Sequence, residues 1–192
     1  EAKVLPAADL SWDRVTLIEP LSVGFHAVRR GQAKAGDKVA VFGCGMIGLG
    51  AILGAARAGA EVIAVDIDDG KLAFARSLGA AHGVNSRGEP LVDRILELTG
   101  GHGADVVIEA VGLPQTYRAA VDIVCHCGTV VYIGYASKEV AYETRFFVQK
   151  ELDIRGSRNA LPENFADVIA MLREGRVDVG PIITHRFPFA RA

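Results

Sequence analysis

Residues 38–66 read KVAVFGCGMIGLGAILGAARAGAEVIAVD, and no other stretch restricts the fold as tightly. Val39, Ala40, Val41 and Phe42 form a short apolar run suited to a strand buried on both faces of a parallel sheet. Gly43, Gly45 and Gly48 follow as G-x-G-x-x-G, and a helical run from Met46 to Ala58 comes next. A second apolar run, Val62 to Val65, then delivers Asp66. In this order each glycine serves a mechanical purpose, Gly43 for the tight turn, Gly45 for close approach of a pyrophosphate and Gly48 for helix–strand packing. The helix N-terminus offers free N–H groups to phosphates, and Asp66 is placed to accept hydrogen bonds from a ribose. The glycines alone are weak evidence, since an ordinary strand–turn–helix connection also uses them. Strand, glycines, helix, strand and acid in register predict dinucleotide binding.

The 192 residues, half of them hydrophobic with a mean hydropathy of +0.25, can bury a substantial core. Few aromatics and 22 glycines suit α/β layers packed through Ala, Val, Ile and Gly. A net charge of −2 gives no electrostatic reason to expect nucleic acid as a partner. The apolar runs are too short to span a bilayer and the N-terminal stretch lacks a signal-peptide pattern, so no membrane partner and a cytoplasmic location are expected. Three cysteines do not read as a disulfide framework. The chain opens on Glu1 and closes on Arg191-Ala192 after an apolar segment, which reads as a piece of a longer protein.

Along the chain, residues 1–37 read as a lead-in, with Ser11 as an N-cap, an apolar run Val15–Glu19, and a helix over Ser22–Arg30. Glu19-Pro20 reads as an acid and proline at a helix start. Residues 38–180 form the dinucleotide-binding domain and 181–192 a truncated return segment. Within the domain, helices are expected over 68–78, 91–98, 114–124, 145–149 and 162–173. Further strands are expected over 82–85, 104–110, 129–133 and 152–156. Val140-Ala141-Tyr142 is expected to be an edge strand open to a second copy, and Ile182-Ile183 to begin another extended segment. Strict alternation implies right-handed crossovers and a Rossmann fold: a doubly wound, six-stranded parallel sheet with helices on both faces.

Ligands in such a fold bind across the carboxyl ends of the strands. Those ends are Gly43, Asp66, Ala110-Val111-Gly112, Ile133-Gly134-Tyr135 and Ser157-Arg158-Asn159. Cys125-His126-Cys127 resembles a ligand set but reads as a surface turn with a buried thiol. Cys44, near a helix N-terminus, is expected to have a lowered thiol pKa and to be oxidisable. His82, His102 and His185 fall at strand or loop boundaries and receive no role.

IEPLSVGFHAV (18–28), AGDKVAVFGCGMIGLGA (35–51), GADVVIEAVG (103–112), GTVVYIG (128–134), ELDIRGS (151–157) and PIITHRFPF (181–189) resemble the cofactor half of the zinc-dependent medium-chain dehydrogenases, nearest to the polyol and sugar-acid branch. The resemblance implies NAD as cofactor. It places Gly43, Gly45, Met46, Ile47 and Gly48 at the pyrophosphate, and Asp66, Ile67 and Lys71 at the adenosine ribose. Ala110, Val111 and Gly112 would border the dinucleotide, while Ile133, Gly134, Tyr135, Ser157, Arg158 and Asn159 would face the nicotinamide. Glu19 matches the position where this branch sets a carboxylate on the catalytic zinc or its water. The zinc ligands belong to a half that is absent here, so the catalytic zinc is expected in an N-terminal domain, and none in this chain.

The function implied is hydride transfer between a secondary alcohol and NAD in a homodimer or homotetramer, this chain binding NAD(H) without catalysis by itself. Two alternatives are a stand-alone nucleotide-sensing module and a methyltransferase using S-adenosylmethionine. The second usually has an acid shortly before its glycines, where this chain has only apolar residues.

Overall fold

The structure, a computed structural model, describes residues 4–191. Its elements are α1 (Trp12–Gly31), β1 (Lys38–Phe42), α2 (Met46–Arg57), β2 (Glu61–Asp66), α3 (Asp69–Ser77), β3 (His82–Asn85), α4 (Leu91–Leu98), β4 (Ala104–Glu109), α5 (Pro114–Ile123), β5 (Val124–Tyr132), α6 (Arg145–Gln149), β6 (Asp153–Gly156) and α7 (Pro162–Glu174). The strands pair in parallel in the order β3-β2-β1-β4-β5-β6. This is the Rossmann arrangement expected from the alternation, with its switch point between β1 and β4.

Alternate side chains of each central strand enter opposite cores. Val39, Val41, Val62, Ala64, Val106 and Ile108 pack with residues of α1, α2, α3 and α7 on one face. Ala40, Phe42, Ile63, Val65 and Val107 pack with Ile95 of α4 and with Ala120 and Ile123 of α5 on the other. Because every strand runs the same way, all their carboxyl ends meet along one edge of the sheet.

Four sequence expectations are corrected. The lead-in is one helix: α1 runs unbroken through Pro20, with Ser11 as N-cap accepting from the Arg14 N–H. Proline in a helix interior costs about 3 kcal/mol. Leu17 and Leu21 on the same face are fully buried against the sheet, and each offsets roughly 1.5–3 kcal/mol of that. Packing therefore overrides the local break, and Glu19-Pro20 lies inside the helix rather than at its start.

Val140–Tyr142 is irregular, not a strand, and the Tyr142 hydroxyl donates inward to the Tyr132 hydroxyl at 3.0 Å. The free sheet edge on that side is β6. β5 begins at Val124, so Cys125, His126 and Cys127 belong to its irregular start, where pairing with β4 shifts register and Cys127 takes φ +57°. Ile182 ends a short 3₁₀ turn, Gly180–Ile182, instead of opening a strand.

Lys150 explains how the chain passes this irregular start of β5. Its Nζ donates to the carbonyls of Val121, Asp122 and Val124, each at 2.9 Å, satisfying the C-terminal end of α5.

Candidate functional site: the cleft at the carboxyl ends of the strands

The glycine turn is held by its own backbone. Gly43 takes φ +88°, and its N–H donates to the Val65 carbonyl at 2.8 Å. A Cβ at Gly48 would overlap the Gly43 carbonyl oxygen, so α2 presses directly on the turn. Gly45, by contrast, is the N-cap of α2 and faces open space where a Cβ would stand. No side chain caps α2, which leaves the donors of its first turn free to receive an anion.

Asp66, at the end of β2, ties itself to that turn. Its Oδ2 accepts from the Cys44 N–H at 2.7 Å, while Oδ1 accepts from the N–H groups of Ile67 at 2.7 Å and Asp68 at 3.1 Å. An ionised carboxylate has about four acceptor positions, so room remains for a hydroxyl donor from a ligand. Asp68 caps α3 by accepting from the Lys71 N–H at 3.0 Å, which brings the Lys71 side chain to the same rim.

Two cavities lie along this edge. The first, about 620 Å³, gathers Gly43, Gly45, Asp66, Ile67, Lys71, Ala110 and Val111. The second, about 320 Å³, gathers Ile47, Ala110, Ile133, Gly134, Tyr135 and the loop Ser157–Asn159, with Val23 of α1. Ala110 is the residue they share. Of the other sequence-selected residues, Met46, Gly48 and Gly112 line neither cavity. Glu19 lines neither as well, and stands exposed on α1 one turn before Val23.

Sequence reasoning missed Glu109. It is fully buried at the end of β4, and its Oε1 accepts from Val111 N–H (3.0 Å), Gly112 N–H (2.9 Å) and Thr116 Oγ1 (2.7 Å). The signal was a lone acid inside the otherwise apolar strand VVIEA, where a charge is almost never buried without partners. Ser86, Arg87, Gln115 and Thr116 also line the first cavity from loops and helix starts that carry no motif.

The cysteines differ from expectation. Cys44 is 3% exposed, and burial, reinforced by the nearby Asp66 charge, pushes its thiol up to about 12 rather than down. The Cys127 thiol is exposed and donates to Glu151. Iodoacetamide at pH 8 should therefore modify Cys127 in the native chain and reach Cys44 only after unfolding in urea. Peptide mass spectrometry showing equal native labelling of Cys44 would contradict its burial. Among the described residues no group of three His, Cys, Asp or Glu side chains could hold a metal ion.

Residues 47–174 match the sequence family described as "Zinc-binding dehydrogenase". The chain belongs to the zinc-binding dehydrogenases. L-galactonate-5-dehydrogenase of Escherichia coli (strain K12) is 34% identical over 189 residues, covering 98% of this chain and 56% of that protein. Among solved structures, galactitol-1-phosphate dehydrogenase from Escherichia coli superposes with a TM-score of 0.88 at 30% identity, over 97% of this chain and 56% of that one. A zinc-binding dehydrogenase from Sinorhizobium meliloti 1021 bound to NADP superposes with a TM-score of 0.81 at 28% identity, over 88% and 50%. This zinc-binding dehydrogenase chain thus spans about half the length of the relatives it matches, and among the described residues no helix is long and apolar enough to cross a membrane.

Proposed function

We propose that residues 38–180 bind NAD(H) and that the protein oxidises a secondary alcohol of a polyol or sugar acid. The observation that carries this reading is the Asp66 carboxylate, anchored to the glycine turn beside the uncapped start of α2 and the open space at Gly45. Bound there, the dinucleotide supplies a hydride acceptor. The chain's residues do the rest: the α2 N-terminus receives the pyrophosphate, Asp66 accepts from the adenosine ribose, and Lys71 flanks that ribose. Ala110, Ile133, Gly134, Tyr135 and Ser157–Asn159 form the walls of the second cavity, which receives the nicotinamide. The alcohol class is supported by the sugar-acid and polyol-phosphate names of the relatives. A homodimer or homotetramer is part of the same proposal, with β6 as the sheet edge open to a second copy.

Titrating the chain into NADH and following nicotinamide fluorescence is the test. Saturation at one NADH per chain, undisturbed by S-adenosylmethionine, is expected. A flat titration, or displacement by S-adenosylmethionine, would overturn the reading.

A further inference from the structure

Glu109 holds two backbone turns at once. Its side chain accepts from Val111 and Gly112 in the turn after β4, and its main-chain carbonyl accepts from Ile133 (2.9 Å) and Gly134 (3.1 Å) in the turn after β5. The two turns touch without side chains between them. A Cβ on Gly112 would come within 2.8 Å of the Tyr135 carbonyl oxygen, and a Cβ on Gly134 within 2.8 Å of Glu109 Oε2. Tyrosines fasten the outer side: the Tyr117 hydroxyl donates to the Gly134 carbonyl, and the Tyr132 hydroxyl to the Tyr117 carbonyl at 2.9 Å. The Tyr117 and Tyr132 rings stack at 4.1 Å.

A buried acid is an expensive residue for a strand interior, and Oε2 of Glu109 has no hydrogen-bond partner among the described residues. Stability alone would be served by an apolar residue there, if the turn donors could be satisfied elsewhere. The carboxylate instead fixes three donors on one oxygen, and the turn so fixed begins at Ala110, the partition shared by the two cavities. A mononucleotide confined to the Asp66 cavity need not cross that partition. A dinucleotide must.

We propose that Glu109 is a positioning residue for the dinucleotide: it sets the height and direction of the Ala110–Gly112 partition, so that a ligand spanning both cavities depends on it more than a ligand confined to the first, whose wall includes its partners Val111 and Thr116. This rests on the NAD(H) reading above. The side chain acts through the turn and is not placed in contact with the cofactor.

The experiment measures dissociation constants for NADH and for 5′-AMP, the latter by competition with a fluorescent adenine nucleotide, in the wild-type chain and in Glu109→Leu, Glu109→Asp and Glu109→Gln. Leu removes the acceptor. Asp withdraws it by one methylene, as a milder change should the Leu variant fail to fold. Gln keeps an acceptor for Val111 and Gly112. In Leu and Asp, NADH should weaken about tenfold relative to 5′-AMP, the order expected when turn donors lose their acceptor, and Gln should recover most of that loss. A merely structural role moves both ligands together, so an unchanged NADH to 5′-AMP ratio in Asp and Leu overturns the proposal. Failure of the wild-type chain to bind NADH would instead overturn the cofactor reading, and this inference with it.

Discussion

Gly48→Ala should abolish NADH binding and destabilise the fold together, whereas Gly45→Ala should weaken binding with little change in stability. The two glycines are three residues apart and face opposite situations. A Cβ at Gly48 overlaps the backbone oxygen of Gly43, and neither group can rotate away, so the turn must move. Overpacking a rigid contact costs about 1–3 kcal/mol, which in a chain of this size lowers Tm by roughly 2–4 °C per kcal/mol. The moved turn also withdraws the Cys44 N–H from Asp66, so the ribose acceptor and the phosphate donors are lost in one step. At Gly45 the backbone takes φ −81°, which alanine adopts freely, and the new methyl meets only the open cleft. Its effect falls on the ligand that needs that space. NADH titration paired with urea unfolding reads both quantities, and equal stability of the two variants would refute the packing argument.

Asp66→Ser should reverse the preference between NADH and NADPH. A 2′-phosphate about 4 Å from the Asp66 carboxylate is opposed by on the order of 4 kcal/mol per pair of unit charges at an effective dielectric of roughly 20. Solvent at the open rim reduces this, so a preference for NADH of at least roughly tenfold is expected from the wild-type chain. Serine removes the charge and leaves Lys71 and Arg87, both lining the same cavity, free to receive a phosphate. NADPH should therefore tighten, with a steeper dependence on salt than NADH. NADH should weaken for two reasons: the ribose loses its acceptor, and the N–H groups of Cys44, Ile67 and Asp68 lose theirs. Wild-type affinity for NADPH equal to that for NADH would show that Asp66 does not face the 2′ position.

The fold was legible where a residue's local pattern and its buried environment agree. β3 and α4 fall on their sequence-read limits because glycines and a sharp apolar periodicity bound them. α1 was read as broken since Pro20 is a strong local signal, while the packing of Leu17, Leu21 and Phe25 that overrides it is tertiary. Val140-Ala141-Tyr142 failed in the opposite sense: β-prone residues fit an edge strand, yet among the described residues no strand pairs with them and the tyrosine is bonded inward. In the cleft, the motif-bearing elements β1, α2 and β2 declared themselves. Glu109 did not, because its importance lies in the N–H groups and hydroxyl of the following turn that fold back onto its side chain, which an acid in an apolar strand does not show by itself. Cys44 misled for a related reason: proximity to a helix N-terminus argues for a low thiol pKa, but complete burial beside Asp66 is the stronger effect.

The contact between α1 and α2 has a mechanical consequence. A Cβ at Gly24 would strike the α2 backbone at Gly50 and Ala51, and a Cβ at Gly50 would strike the α1 backbone at Leu21. At this crossing main chain rests on main chain, while one turn further on the Phe25 and Val28 side chains of α1 pack over Gly54 of α2. Glu19 and Val23 flank this crossing on α1, and the glycine turn lies at the start of α2, one turn before it. A displacement of α1 at this crossing therefore has to move the backbone of the first turns of α2, the segment that presents its free N–H groups to the cleft.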